Sequence, residues 1–358
     1  MSAAKSGGGL VVDCDVHCPL PSVEDLAPFL SKHWNDYVRE VGYRQLVGVN
    51  YTYPTWSEML SPTRGESAEE LAADVLSRAD IAILNVYYGL ESQQHPYLVG
   101  ALSTAVNQWL TETWLGSPDD RYLGSVAVAP QHAQIAAQEI RRAAGDGRFA
   151  AVLLPARSWE PYGNQRFWPI WEAAAETGLI PAITYGGSIG TPSTPNGWVH
   201  GLLEEYAGFQ QVFAAHVSSL IANGVFNRFP DLKVVILESG WTWLPALAWR
   251  MDAEWKAVRR EVPWVREPPS EYIRRHVRVT TQPIDAAPDP KSIRVAIEHL
   301  GDDGMLMYGS DYPREYEPGI ELLLSSLTKH QAERVMSRNA IDTYRQLERH
   351  LAASSGAG

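Results

Sequence analysis

Three short stretches place polar side chains where the surrounding chain is apolar, and each can do chemistry. The first is Asp13-Cys14-Asp15-Val16-His17. In a strand, alternation puts Asp13, Asp15 and His17 on one face and Cys14 and Val16 on the other. Burying three such groups is costly without a partner, and a metal ion is one partner that satisfies them together. The structural alternative is a strand that has already ended, with its Asp and His in a turn. The second stretch is Gly309-Ser310-Asp311-Tyr312-Pro313, where Asp311 closely follows the apolar run Met305–Tyr308. It serves either as a catalytic carboxylate at a strand end or as a helix N-cap. In the third, Val234-Val235-Ile236-Leu237-Glu238, the terminal Glu238 is a ligand, a base or a structural anchor.

Single residues add weaker signals. Arg157 and Trp159 follow the run AAVLLP, Gln282 follows VRVTT, and Arg314 follows SDYP. Either arginine can pair a substrate carboxylate in bidentate fashion, and for either the alternative is a surface ion pair. His216 lies in the helical run Phe209–Asn223 beside Phe213 and Leu220, where a lone histidine is most often structural. Trp56, Trp159, Trp198 and Trp241 fall after apolar runs and are read together as an aromatic wall for a planar or apolar substrate. His200, within Gly197–Leu202, belongs to a candidate lid.

Positioning these groups requires a scaffold, and the chain supplies a regular one. Strands are predicted at Leu10–Asp15, Ile81–Tyr87, Leu123–Ala129, Ala150–Pro155, Ile180–Tyr185, Val234–Glu238, Val277–Thr281 and Met305–Gly309. They are almost wholly apolar, as strands buried on both faces must be. Helices are predicted at Ser67–Ala79, where Ser67 and Glu70 make a capping box, and at Ala101–Trp114, Gln131–Ala144, Asn164–Thr177, Phe209–Asn223 and Ser292–Leu300. Glycine follows several of them, at 145, 178, 224 and 301. Strand alternating with helix in this way reads as a parallel α/β fold, and eight strands favour a closed (β/α)8 TIM barrel over an open sheet. No GxGxxG or GxxxxGK[ST] loop follows the first strand. Residues 10–349 form one barrel domain, with 1–9 and 350–358 expected to be unordered. Insertions at 18–66 and 186–208 fall at the C-terminal face, as lids or oligomer contacts. That face is where barrel active sites lie, so Asp15, His17, Glu238 and Asp311 converge on one mouth.

Composition bounds the partners. The chain has 358 residues, 45% of them hydrophobic, and a net charge of −12 without a Lys/Arg-rich run, which argues against nucleic acid and anionic membrane. There is no secretory h-region at the start and no run of 18 apolar residues. Cys14 and Cys18 lie roughly 13 Å apart on an extended strand, beyond the 7 Å or so a disulfide spans between Cα atoms. A reducing cytoplasm fits.

The chain resembles the amidohydrolase superfamily, in the branch that includes aminocarboxymuconate-semialdehyde decarboxylase and resorcylate decarboxylase. The matching text is VDCDVH at 12–17, GVFNRFPDLKVVILESGWTWLPALAWRMD at 224–252 and MLMYGSDYP at 305–313, supported by RFWPIWEAAAETGLIPAI at 166–183 and YIRRHVRVTTQPID at 272–285. The resemblance covers about residues 10–345. It implies a divalent metal, zinc or manganese, held by Asp15, His17 and Asp311. The family's strand-five histidine falls at or beside Tyr185, its strand-six histidine falls on Glu238, and a histidine common after SDYP is here Arg314. Tyrosine is a poor ligand at neutral pH. Glu238 or water then completes the shell, and an oxygen-rich shell leans toward manganese or magnesium without excluding zinc. His216 is a candidate to replace the missing imidazole. The implied activity is decarboxylation or hydrolysis of a small carboxylated or cyclic organic substrate. Asp311, Glu238 and His216 handle protons, and Arg157, Trp159, Tyr185, Gln282 and Arg314 line the substrate. Without a metal, the carboxylates remain as an acid–base group with one pKa raised. The alternative is a metal-free, non-catalytic descendant that binds a small molecule. A homo-oligomer is expected, most simply a two-fold dimer.

Overall fold

Strands β1 (Val12–His17), β2 (Ile81–Asn85), β3 (Tyr122–Ala127), β4 (Phe149–Arg157), β5 (Ile180–Gly187), β6 (Val234–Ile236), β7 (Val277–Thr280) and β8 (Leu306–Met307) form one parallel sheet in sequence order. The structure, a computed structural model, describes residues 9–44, 67–116, 120–187, 191–192, 194–316 and 319–356. Trp56 and most of the second half of the 18–66 insertion lie outside them.

The ends of the sheet meet. Cys14 N donates to Tyr308 O at 3.0 Å, Asp311 N to Asp15 O at 3.0 Å and His17 N to Tyr312 O at 2.8 Å, with a parallel bridge between Val16 and Tyr312. These bonds close a (β/α)8 TIM barrel and set the backbones of Asp15 and Asp311 side by side. All eight predicted strands are present. Alternate residues of each fill the barrel, among them Val12, Ile83, Leu123, Leu153, Ala182, Val235 and Met307, while the intervening ones pack outward under the helices. Tyr344 and Leu347 join this inner core, so the segment after the last strand plugs the N-terminal end.

Helices fill the crossovers at Pro96–Leu110, Ala133–Ala143, Trp168–Thr177, Leu202–Ala222, Trp243–Val258 and Pro290–Leu300. Ser67 caps Ala68–Val75 by accepting Glu70 N–H at 3.1 Å. Leu202–Ala222 starts earlier than its apolar period, which begins at Phe209, because its first two turns carry Glu204, Glu205 and Tyr206. At the other end of the chain, helix Arg345–Gly356 continues into the small-residue stretch where composition points to an unordered tail. Alanine, the best helix former, occupies two of those positions. No helix among the described residues is long and apolar enough to cross a membrane. Cys14 and Cys18 are both free and buried.

Two bulges alter what alternation predicts. Between Asp13 and Val16, β1 carries one residue more than its partner β2. Val12 and Cys14 therefore point into the barrel, Val16 points out, and Asp15 and His17 face the mouth. Asp13 is not on their face. It sits behind the strand, where its Oδ1 accepts the backbone N–H of Ser310 at 2.9 Å and of Asp15 at 3.2 Å. Burial pushes its carboxyl up to about 6, and the Ser310 hydrogen bonds hold it back. The second bulge is in β5, where Thr184–Gly187 spans three steps against two for Pro155–Arg157 of β4.

Candidate active site

Four side chains converge at the C-terminal mouth. One ligand atom from each of Asp15, His17, Glu238 and Asp311 lies within 4.8 Å of all the others. His17 Nε2 is 3.3 Å from Asp15 Oδ1, 3.3 Å from Glu238 Oε1 and 3.4 Å from Asp311 Oδ1. Glu238 and Asp311 both adopt a left-handed backbone with φ 55°. For a residue with a side chain that conformation costs about 1–2 kcal/mol, and its recurrence at both carboxylates is strain located at a site. At Glu238 it has a geometric purpose. Leu237 points into the barrel, so a regular strand would send Glu238 outward. The turn brings it back to the mouth.

A second layer fixes each group. Asn85 Nδ2 donates to Asp15 Oδ1 at 2.8 Å, and Ser125 Oγ donates to Asn85 Oδ1 at 2.6 Å. Thr184, the inward residue of β5, donates a short hydrogen bond to Glu238 Oε1, and Tyr316 donates one to Asp311 Oδ2. Arg314 Nη1 lies 3.7 Å from Glu238 Oε2 and 3.6 Å from Asp311 Oδ2, with its guanidinium 5.7 Å from the centre of the Tyr185 ring. The outer oxygens of both carboxylates are thus held by Arg314, and the inner ones face His17.

The electrostatics follow from burial and crowding. Burial, then the charges of Glu238 and Asp311, pushes the Asp15 carboxyl up to about 7 against the pull of the nearby His17 imidazole. Asp311 is also raised, by burial and then by Glu238. Glu238 is held below its usual range because, against burial, His17, Arg314 and Thr184 stabilise its charge. Burial opposes protonation of His17, but its three carboxylate neighbours outweigh it and hold the imidazole well above its ordinary value.

This donor set fits a divalent cation. Asp15 Oδ2 and His17 Nε2 are enclosed without a hydrogen-bond partner, and orphaned buried polar atoms facing one point call for a partner there. One imidazole and three carboxylates, with Arg314 beside them, reach neutrality around a doubly charged ion. Such a site is oxygen-rich.

Several predicted residues sit elsewhere. Tyr185 falls on the β5 bulge, takes no part in the cluster and donates its hydroxyl to Glu205 at 3.0 Å. The strand-five group in contact with the cluster is Thr184. Arg157 ends β4 and approaches Glu205 at 3.7 Å. Gln282 is buried at the end of β7 with its Oε1 unpartnered. Trp159 and Trp198 are 69% and 53% exposed, whereas Trp241 is fully buried in the outer core, so they do not form a common wall. Among the described residues, His200 is engaged through its backbone N–H, by Glu204.

His216 is outside the cluster too. Its Nδ1 accepts Tyr162 N–H at 3.1 Å, its Nε2 bonds Ala156 O at 2.5 Å, and its ring stacks on Tyr162. Both nitrogens are consumed by backbone, which fixes the neutral form. Burial pushes its pKa down to about 4, so its contribution to stability is present above pH 6.5 or so and is lost as pH falls toward 4. His216→Ala is expected to cost about 2–5 kcal/mol in thermal or chemical unfolding with metal content unchanged. Loss of metal in a folded variant would return His216 to the site.

Asn85, Ser125, Thr184, Glu205 and Tyr316 were not singled out from sequence. Asn85 and Thr184 left a signal, a polar residue inside an apolar strand. Glu205 and Tyr316 left none, because a helix start and a loop bring them in.

Comparison with known proteins gives the family. The chain is 26% identical over 153 residues, 41% of its length, to a gamma-resorcylate decarboxylase of Polaromonas sp. strain JS666. It is 24% identical over 249 residues, 65% of its length, to another from Rhizobium radiobacter. It spans 46% and 72% of those curated relatives. A 5-carboxyvanillate decarboxylase of Novosphingobium aromaticivorans, complexed with manganese and 4-hydroxy-3-methoxy-5-nitrobenzoic acid, superposes with a TM-score of 0.70. The identity is 18%, and the match covers 96% of this chain and 98% of that one, a likeness of fold. The amidohydrolase family profile matches residues 12–346, nearly the whole barrel with every member of the cluster, and the chain therefore belongs to the amidohydrolase family.

Proposed function

We propose that the protein is a manganese-dependent decarboxylase of a small aromatic carboxylic acid. The observation that carries this reading is the convergence of Asp15, His17, Glu238 and Asp311 with two of their atoms enclosed and unpartnered. The names of the relatives supply the substrate class. The donor set favours manganese over zinc, since three of four ligand atoms are hard oxygens.

A bound divalent ion would supply Lewis acidity toward a substrate oxygen. Asp311, at the end of β8 beside Glu238 and His17, is the group assigned to deliver the proton, in line with the upward push that burial and Glu238 give its carboxyl. It delivers that proton to the ring carbon bearing the carboxylate. The C–C bond then breaks, its electron pair restores the ring, and carbon dioxide leaves. Glu238, held ionised by His17 and Arg314, takes a proton from solvent and returns it to Asp311. Thr184, Tyr316 and Asn85 keep the carboxylates oriented. Hydrolysis shares the same groups, but the relatives favour the lyase reaction. A metal-free binding protein would leave Asp15 Oδ2 and His17 Nε2 without a purpose.

The test is elemental analysis of protein purified without an affinity metal, followed by carbon dioxide release from hydroxylated benzoic acids. About one manganese per chain with turnover of one such acid is the expected result. Protein that takes up neither manganese nor zinc would sink the metal reading. A two-fold oligomer and a cytoplasmic location complete the proposal, and a monomeric mass in solution would exclude the first.

A further inference from the structure

Arg157 is a buried cation with no hydrogen bond among the described residues. It stands two alternations beyond Leu153, which fills the barrel, so its side chain enters the mouth. Only 9% of it is exposed. Its guanidinium carries five N–H donors, yet among the described residues none is hydrogen-bonded. The Glu205 carboxylate is 3.7 Å away, outside hydrogen-bond reach, the centre of the Phe209 ring is 5.9 Å away, and Nε is enclosed with no partner. An arginine kept for an ion pair would close on Glu205 as a fork. Leaving a buried charged donor unmade is costly, and such a group calls for an acceptor that arrives from outside the chain.

The chain packs closely around the root of Arg157. Gly187 lies beside Arg157 in the β4–β5 register, and a Cβ there would come within 2.1 Å of the Arg157 Cβ. A Cβ on Gly186 would come within 2.9 Å of the Tyr87 ring. Tyr87 in turn donates to Glu91 at 2.5 Å, with Glu91 buried and Tyr87 partly buried. Tyr185 separates this corner from the metal cluster. Its ring lies against Arg314 on one side, and its hydroxyl reaches Glu205 on the other.

We propose that Arg157 is a specificity-determining residue that receives a second oxygen acceptor of the substrate, across Tyr185 from the Asp15–His17–Glu238–Asp311 cluster. The preferred substrate is then an aromatic acid with a carboxylate or hydroxyl besides the carboxylate that reacts. This rests on the reading of the cluster as a site for aromatic acids. Its own content is the second contact.

Calorimetric titration of the manganese-loaded protein with benzoate, 3-hydroxybenzoate and isophthalate tests it. The wild-type chain is expected to bind at least one disubstituted acid about tenfold more tightly than benzoate. Which of the two gains shows whether the acceptor is hydroxyl or carboxylate. In Arg157→Met the acids converge to within about twofold, and Arg157→Lys, which keeps the charge but not the fork, falls between. If the methionine variant does not fold, the lysine variant carries the comparison. Equal affinities in the wild-type chain, or a preference that survives both substitutions, overturns the proposal and leaves the reading of the cluster standing. If none of the three acids binds the wild-type protein, that reading fails and takes the proposal with it.

Discussion

Asp311→Asn is expected to lower turnover of the manganese-loaded enzyme by about 10³- to 10⁴-fold, the upper range for a general acid, and to leave the protein short of metal. The fold should survive. Asp311 has φ 55°, and asparagine is one of the few residues that visit the left-handed region readily. The amide side chain also keeps an oxygen for the Tyr316 hydroxyl, which now bonds Asp311 Oδ2. The sign of the stability change is informative. Burial and Glu238 raise the folded-state pKa of Asp311 above its unfolded value, so the ionised carboxylate destabilises the metal-free fold at neutral pH. Removing that charge should leave the metal-free melting temperature equal or higher. Added manganese should stabilise the wild-type protein by mass action and the variant little. The checks are thermal unfolding with and without manganese, elemental analysis and initial rates. A variant that keeps one metal per chain and turnover within tenfold of wild type would remove Asp311 from both roles.

The sequence made the scaffold legible because strands buried on both faces are apolar throughout, and every one of the eight runs stood out against Gly, Pro and helical stretches. Asp15, His17, Glu238 and Asp311 were legible for the complementary reason, as ionisable groups at the ends of such runs. Alternation misled at the bulge in β1. Asp13 shares a parity with Asp15 in the text of VDCDVH but not in space, since the extra residue between Asp13 and Val16 resets the count. In β5 the register is regular through Thr184, so alternation from the inward Ala182 gives the contact to Thr184 and turns Tyr185 away, and the bulge follows only after Thr184. No local feature announces either bulge, because both are set by pairing with a neighbouring strand. His216 illustrates a different limit. An imidazole on an apolar helix face reads alike whether its nitrogens meet a ligand or, as here, the backbone of Tyr162 and Ala156.

The bulge in β5 also predicts the second large effect, a loss of about 2–6 kcal/mol in Gly187→Ala, from overpacking and backbone strain together. Gly187 has φ 146°, and a methyl there meets Arg157 Cβ at 2.1 Å, its carbonyl oxygen at 2.4 Å and its Cα at 2.6 Å. Those atoms belong to a neighbouring strand and cannot swing aside as the tip of a side chain can. Relief requires the ends of β4 and β5 to part, which moves Arg157 and, through Thr184, slackens the hold on Glu238. Gly197→Ala separates the two causes. Its φ is 124°, so its backbone is also strained for alanine, but a methyl there has nothing within 4 Å. Gly197→Ala should therefore cost only the backbone share, about 1–3 kcal/mol. Denaturant unfolding of the two variants beside the wild-type chain gives the comparison. Equal losses would mean that Gly187 is required only for its backbone conformation and that the close passage of Arg157 past β5 places no demand on the sequence. A larger loss at Gly187, with weaker manganese retention, would show that the β5 bulge sets the spacing between Arg157 and the Asp15–His17–Glu238–Asp311 cluster.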